Sequence, residues 1–325
     1  MSSRRDTLIA GLASLTGLGL PSLAGAATAV ASATAAPALT EIRVGFQKSA
    51  VNLLIVRERK LLDKHLPGVA QKWVEFPAGP QLLEALAVGS IDFGFTGDSP
   101  PVFAQAAGKD VLYLGLEPPK PESSAILVRP DSPLKSLADL RGKRVALQKG
   151  SSAHYLLLSA VAKAGLQWAD ITPVYLAPAD ARAAFEKGAV DAWAIWDPYY
   201  AAAEVDAHAR VLSTGRGLSS NNSFYLGSRA LGRQPKGVQA LFAALSEADA
   251  YVRNERTAAA RFIADATGLP LASALRFIER RSAGAIRPLT AADAADQQRV
   301  ADAFAQAGLI PRPIRVAEVV WAPPR

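Results

Sequence analysis

Leu86-Ala87-Val88-Gly89-Ser90-Ile91-Asp92, running on to Thr96-Gly97-Asp98, reads as a helix that stops at a glycine, then an acidic residue that leads into a strand. The same unit returns as Phe185-Glu186-Lys187-Gly188-Ala189-Val190-Asp191, running on to Trp196-Asp197. Gly89 and Gly188, Asp92 and Asp191, and Asp98 and Asp197 share one offset of 99 residues, and each copy ends in an acidic turn followed by proline. One copy alone is ordinary strand–helix grammar. Two copies with matching ends predict two similarly built α/β lobes, because the offset is far too long for a stacked repeat. Two lobes in one chain enclose a cleft, and clefts hold ligands.

Outward from that unit, short β-branched runs alternate with helical patterns. Strands are expected at 42–46, 72–76, 91–96, 111–116, 125–129, 144–148, 172–176, 191–196 and 223–226. Helices are expected at 52–61, 80–88, 100–107, 152–164, 180–187 and 199–206, several closed by a glycine such as Gly89, Gly108, Gly165 or Gly188. This alternation predicts βαβ units and parallel sheets. Beyond Gly237 the pattern is helical only, at 238–255, 257–267, 272–280 and 291–307. The organisation expected is an export signal over 1–35, a first lobe from 36–124 with 223–325, and a second lobe over 125–222.

Composition removes several chemistries. The chain of 325 residues has no cysteine, which excludes disulfides, thiolate metal sites and a cysteine nucleophile. Its three histidines, His65, His154 and His208, show no metal-ligand spacing on one helix, so neither a metal nor a cofactor is expected. The net charge of +7 comes from scattered basic residues without interleaved aromatics, which argues against nucleic acid. No phosphate-binding loop, dinucleotide fingerprint or nucleophile elbow occurs. Ser152 and His154, two apart at a helix start, point away from one another and make no catalytic pair.

The N-terminus carries Arg4-Arg5, an apolar run over 7–23 and a tract of small residues up to Pro37. These are the parts of a bacterial export signal, with cleavage after Ala26, Ala33 or Ala35. The paired arginines resemble a twin-arginine signal. Without a lipobox cysteine the mature chain is expected free in the periplasm.

Three junctions carry the candidate binding chemistry. They are Val44-Gly45-Phe46-Gln47-Lys48-Ser49, Phe95-Thr96-Gly97-Asp98-Ser99-Pro100 and Gln148-Lys149-Gly150-Ser151-Ser152-Ala153-His154. Each sets backbone N–H groups, hydroxyls and the positive end of a helix at the carboxyl end of a strand, where open α/β sheets bind ligands and anions are favoured. Asp98 is expected to cap the helix that follows it. His154 is placed to donate to an anion, and Arg281 ends a helix as a candidate cation. Trp196, at the carboxyl end of its strand, is the candidate apolar contact, whereas Trp193 is expected in the core. Asp197 reads as a helix cap.

Val44-Gly45-Phe46-Gln47-Lys48, Trp73-Val74-Glu75-Phe76-Pro77-Ala78-Gly79-Pro80, Glu117-Pro118-Pro119-Lys120-Pro121, Gln148-Lys149-Gly150-Ser151-Ser152, Pro178-Ala179-Asp180-Ala181-Arg182-Ala183-Ala184-Phe185 and Ala192-Trp193-Ala194-Ile195-Trp196-Asp197-Pro198-Tyr199 together closely resemble the aliphatic-sulfonate-binding proteins of bacterial ABC importers. The resemblance runs to about Arg281. It implies a type II periplasmic binding fold, with C-terminal helices on the first lobe. It implies no catalysis, a monomer, and delivery of an aliphatic sulfonate to an ABC permease for sulfur assimilation. It also implies a sulfonate head held by the turns at Gln47, Gly97–Asp98 and Ser151–Ser152, with Trp196 and Phe224 near the tail. Ser99, and Ser282-Ala283-Gly284 after Arg281, depart from the family pattern and put tail selectivity in doubt. Receptors for other small anions such as taurine or nitrate share the fold, so fold alone does not choose the ligand. A hydrolase of anionic esters or amides would need a positioned base and nucleophile, which no motif supplies. A sulfonate is ionised and accepts only, so N–H and O–H donors at helix starts suffice; a buried lysine is not expected, because its desolvation is costly.

Overall fold

A computed structural model describes residues 39–323, so the export signal expected over 1–35 lies outside the described residues. The described residues begin with β1 (Glu41–Phe46), α1 (Val51–Glu58), α2 (Leu61–His65), β2 (Ala70–Glu75), α3 (Gly79–Ala87), β3 (Phe93–Gly97), α4 (Ser99–Ala106) and β4 (Leu112–Glu117). It continues through β5 (Ser124–Val128), β6 (Arg144–Leu147), α5 (Ser152–Lys163), β7 (Thr172–Tyr175), α6 (Pro178–Glu186), β8 (Ala192–Trp196), α7 (Tyr199–Asp206) and β9 (Arg210–Thr214). Then β10 (Ser223–Gly227) and α8 (Arg229–Gly232) precede the long helices α9 (Pro235–Asn254), α10 (Arg256–Thr267), α11 (Leu271–Glu279) and α12 (Ala291–Gln306).

The strands form two five-stranded sheets, ordered β2-β1-β3-β10-β4 and β7-β6-β8-β5-β9. The orders correspond position by position, so the repeated unit marks two sheets of one design. The expectation of parallel sheets is corrected. β1, β2 and β3 are parallel, as are β6, β7 and β8, but β10 and β5 run antiparallel to both their neighbours. The reason is topological. β5 and β10 are the strands on which the chain crosses from one sheet to the other, and each enters its new sheet from the carboxyl ends of the strands. Two smaller differences have local causes. The helix expected over 52–61 is broken where Lys60 takes a left-handed conformation with φ +52°. The edge strand β9 is only half-buried along its length, so it lacks the apolar signal by which strands are read.

Alternation along the strands of the first sheet feeds two cores. Phe93, Phe95, Leu112, Leu114 and Tyr225 face one way, against α1, α9, α10 and α11. Tyr113, Leu116, Phe224 and Leu226 face the other, against α3, α4 and α12. The C-terminal helices thus cover the first sheet. The second sheet has one contiguous core around Leu127, Val145, Leu156, Phe185 and Trp193.

The repeated unit has the same hydrogen bonds twice. The N–H groups of Gly89 and Ser90 donate to the carbonyls of Leu86 and Ala85; those of Gly188 and Ala189 donate to Phe185 and Ala184. Gly89 and Gly188 have φ of +71° and +72°, the left-handed helix stop. Asp92 Oδ2 then accepts from the N–H of Arg43 at 2.9 Å, and Asp191 Oδ2 accepts from that of Arg144 at 2.8 Å. The glycine ends the helix, and the carboxylate ties the next strand to the neighbouring one. A methyl at Gly89 would meet nothing within 4 Å, so its cost is conformational alone. Gly89→Ala is therefore expected to cost about 1–2 kcal/mol of stability. Chemical denaturation checks this through a lowered midpoint at unchanged slope; an unchanged midpoint would refute it.

Candidate functional site

The carboxyl ends of β1, β3 and β8, the start of α5 and the two crossings converge on a cavity walled by polar and apolar side chains. Five of the nine residues expected at the ligand line it: Gln47, Gly97, Ser151, Ser152 and Trp196. Gln47, after β1, donates from Nε2 to the carbonyl of Phe95 at 2.9 Å, which ties the first junction to the second. Gly97 ends β3 so close to α5 that a Cβ there would lie 2.9 Å from Ser152 Oγ. A Cβ at this position would press on the Ser152 side chain, so glycine eases the close approach of the first sheet to α5. At the start of α5, Ser151 donates from Oγ to the Gln148 carbonyl at 2.8 Å and so closes its own turn. Ser152 Oγ has no hydrogen-bond partner among the described residues and is held at the cavity wall beside the first N–H groups of the helix. Trp196 and Phe277 supply apolar wall, and Trp196 is braced edge-on by Tyr199 at 6.2 Å.

Four expected residues lie elsewhere, each for a physical reason. The Asp98 carboxylate does not cap α4; it accepts from Ser99 Oγ at 2.8 Å and from Ser219 Oγ at 3.5 Å. It borders a separate concavity with Tyr155, Asn222, Asp296 and Arg299. Burial raises its pKa to about 7. His154 is turned by the helix into an aromatic nest of Phe103, Trp168, Tyr175 and Phe304. Its Nδ1 accepts from the Gly150 N–H at 3.1 Å, and burial lowers its pKa to about 4. A neutral imidazole that accepts at Nδ1 fixes the turn and is not an anion donor. Phe224 falls on the core face of β10, edge-on to Tyr113 at 4.9 Å. Arg281 is buried behind the cavity, where its Nη2 donates to Glu117 Oε1 at 3.0 Å.

Other residues reach the cavity without having been expected there. Lys120, Ser123, Asn221 and Ser223 come from the two crossings, and Asp197 follows β8. Lys120 stands against the expectation that no lysine is buried in the site: it is 9% exposed. Its Nζ donates to Ser223 Oγ at 2.8 Å and to Glu117 Oε2 at 3.1 Å. Glu117 Oε1 accepts from Arg281, Tyr225 and Asn52 as well. Burial alone would raise the Glu117 pKa, but Arg281 and Lys120 hold it down to about 2. Glu117 is thus the anionic keystone that keeps Lys120 in the cavity wall and Arg281 behind it. The only signal for this in the sequence was Glu117-Pro118-Pro119-Lys120-Pro121, a crossing loop with two opposite charges and no recognisable chemistry.

Asp197 serves three structures at once. Pro198, not Asp197, holds the N-cap position of α7, but Asp197 Oδ1 accepts from the Ala201 N–H in its first turn at 2.9 Å and from Arg280 at 3.1 Å. Oδ2 is buried without a partner. Burial raises the Asp197 pKa to about 7 against the pull of Arg280. Arg280, at the end of α11, also bonds Glu204 and lies over the Tyr200 ring at 3.6 Å, so this clasp joins the C-terminal helices to α7.

Among the described residues no cluster of His, Asp and Glu could hold a metal ion, and no helix is long and apolar enough to cross a membrane.

Residues 73–259 match the NMT1/THI5-like family. An Escherichia coli (strain K12) aliphatic sulfonates-binding protein is 48% identical over 283 residues, covering 87% of this chain and 89% of that protein. The alkanesulfonate-binding protein SsuA from Xanthomonas axonopodis pv. citri, solved bound to MOPS, superimposes with a TM-score of 0.84 at 47% identity, covering 87% of this chain and 98% of that one. The periplasmic aliphatic sulphonate binding protein SsuA from Escherichia coli gives a TM-score of 0.81 at 47% identity over 89% of this chain and 94% of that one. The fold is that of the periplasmic binding proteins. With its two matched sheets, its cavity at the carboxyl ends of their strands and these likenesses, the chain belongs to the aliphatic-sulfonate-binding proteins of the NMT1/THI5-like family.

Proposed function

We propose that this protein captures aliphatic sulfonates in the periplasm, as a monomer, and delivers them to an ABC permease for sulfur assimilation. It acts without catalysing a reaction. The observation that carries the reading is the cavity wall. Ser152 Oγ, the N-terminus of α5, Gln47 and Gly97 set donors around one corner, while Trp196 and Phe277 offer apolar surface. A fully ionised, acceptor-only head with an aliphatic tail satisfies both parts. The binding residues proposed are Gln47, Gly97, Ser151, Ser152 and Trp196. The lobes proposed are 36–124 with 223–325, and 125–222; residues 1–35 are proposed as the export signal. Two lobes that share one ligand would close on it through hinges at the two crossings.

Calorimetry against alkanesulfonates of increasing chain length, with taurine and nitrate alongside, tests the function. Stoichiometric binding of an unchanged alkanesulfonate, tighter than either competitor, is expected. Conversion of the ligand, or preference for nitrate, would sink the reading.

Ser152→Ala removes one hydroxyl donor to a charged head and should weaken binding by about 1.5–3 kcal/mol, or roughly 10- to 150-fold. Ser151, not Ser152, occupies the cap position of α5. Thermal stability should therefore be unchanged, and an unaltered Kd would remove Ser152 from the site.

Asp197 gives the pH dependence. With its pKa raised to about 7, its carboxyl is neutral at pH 5.5 and charged at pH 8. An anionic ligand should bind roughly tenfold more weakly at pH 8 than at pH 5.5, because a negative charge then forms on the cavity wall. Asp98 ionises in the same range from behind Gly97 and adds a smaller part. Asp197→Asn should remove most of the dependence, and a flat wild-type profile would contradict the argument.

A further inference from the structure

Two buried cations share one buried carboxylate behind the cavity. Arg281 and Lys120 both bond Glu117, and all three side chains are 5%, 9% and 4% exposed respectively. The nearby Asp249 is matched by Arg253 at 3.0 Å. The group therefore holds one surplus positive charge in a setting where unpaired charge is costly. Two further observations show that it is not fully spent inside the protein. Arg281 Nη1 is buried without a hydrogen-bond partner. Of the three N–H donors of an ammonium, Lys120 uses two on Glu117 and Ser223, and its Nζ stands 5.8 Å from the centre of the Phe95 ring. Lys120, Ser223 and Phe95 all line the cavity, in the corner where Gln47 bonds the Phe95 carbonyl and Ser223 pairs with Gly97 on the β10–β3 ladder.

We infer that Lys120 is the counter-charge of the anionic ligand, held in the cavity wall by Glu117 so that its third N–H and the surplus charge of the group are presented to the bound head. This rests on the sulfonate reading above and deepens it by naming a further specificity-determining residue. Glu117 and Arg281 are positioning residues: they keep the ammonium in place and ionised, and do not themselves line the cavity. Burial pulls the Lys120 pKa below the ordinary lysine range while Glu117 opposes the pull, and an anion in the cavity relieves the same cost. The helix start offers an anion partial positive charge and hydrogen bonds. Lys120 adds a full charge to that partial one.

The test is calorimetry with 1-butanesulfonate and the matched 1-butanesulfonamide, which has nearly the same shape but no charge. Measurement at pH 6 keeps Asp98 and Asp197 mostly neutral. Wild-type protein is expected to prefer the sulfonate by at least about 100-fold. Lys120→Met should lose about 100-fold in sulfonate affinity and at most about tenfold in sulfonamide affinity, the smaller loss being that of a hydrogen bond to a neutral acceptor, so that the preference falls by at least about tenfold. Lys120→Gln, which keeps a donor but no charge, should behave like Lys120→Met. Equal binding of the two ligands by wild-type protein would overturn the assignment without any variant, and so would a Lys120→Gln protein with wild-type sulfonate affinity. Wild-type protein that binds no alkanesulfonate of any length would overturn the sulfonate reading, and this assignment with it. Sulfonate binding that is independent of Lys120 would overturn this assignment alone.

Discussion

Two strands that change sheets govern the geometry of the molecule. β5 and β10 each enter a sheet antiparallel to both neighbours, between strands that the rest of the topology makes parallel. A strand fixed on both edges cannot slide without breaking two ladders of hydrogen bonds, so the points where the chain crosses are pinned to the carboxyl ends of the sheets. The register makes this concrete. Ser223 pairs with both Gly97 and Glu117, and Ser124 pairs with Trp196. Every one of these residues lies at the cavity or next to it. The crossings thus set the walls of the cavity, and the polar residues of the crossing loops become its lining.

Charge is arranged around that frame with an economy that burial enforces. Glu117 ends β4 and is held ionised by two cations, which would otherwise be costly to bury. Asp197 follows β8 and is neutral until about neutral pH, because a single arginine does not outweigh its burial. Below neutral pH the two carboxyls, one behind the cavity and one in its wall, therefore carry different charge. One keeps positive charge near the site; the other avoids placing negative charge there. An anion receptor needs both. The clasp of Arg280 with Asp197 and Glu204 further links this electrostatic balance to the packing of α11 on α7.

Much of this was legible in the residues. The repeated glycine–aspartate unit stood for two matched sheets because its parts are local: a left-handed helix stop and a carboxylate one turn later, with the same bonds in both copies. That Gln47, Gly97, Ser151, Ser152 and Trp196 line one cavity follows from strand ends and helix starts, which are encoded within a few residues. His154 and Phe224 were misplaced for one shared reason. The direction of a side chain on a short element depends on what packs behind it, and here an aromatic nest and the α12 core claim them.

Sequence by itself determined the α/β class, the two-lobed plan, the helical C-terminal layer and the hydroxyl-lined turns, because each follows from local periodicity, glycine conformation or helix-end chemistry. Tertiary structure alone decided which strands run antiparallel, that Asp98 turns away from the cavity while Asp197 faces it, and that a lysine can stand in the wall. Lys120 and Glu117 are three residues apart, but Arg281 and Ser223, which complete their group, are more than a hundred positions further along the chain. No local pattern records such a meeting. The stability of a buried charge depends on partners that only the fold brings together.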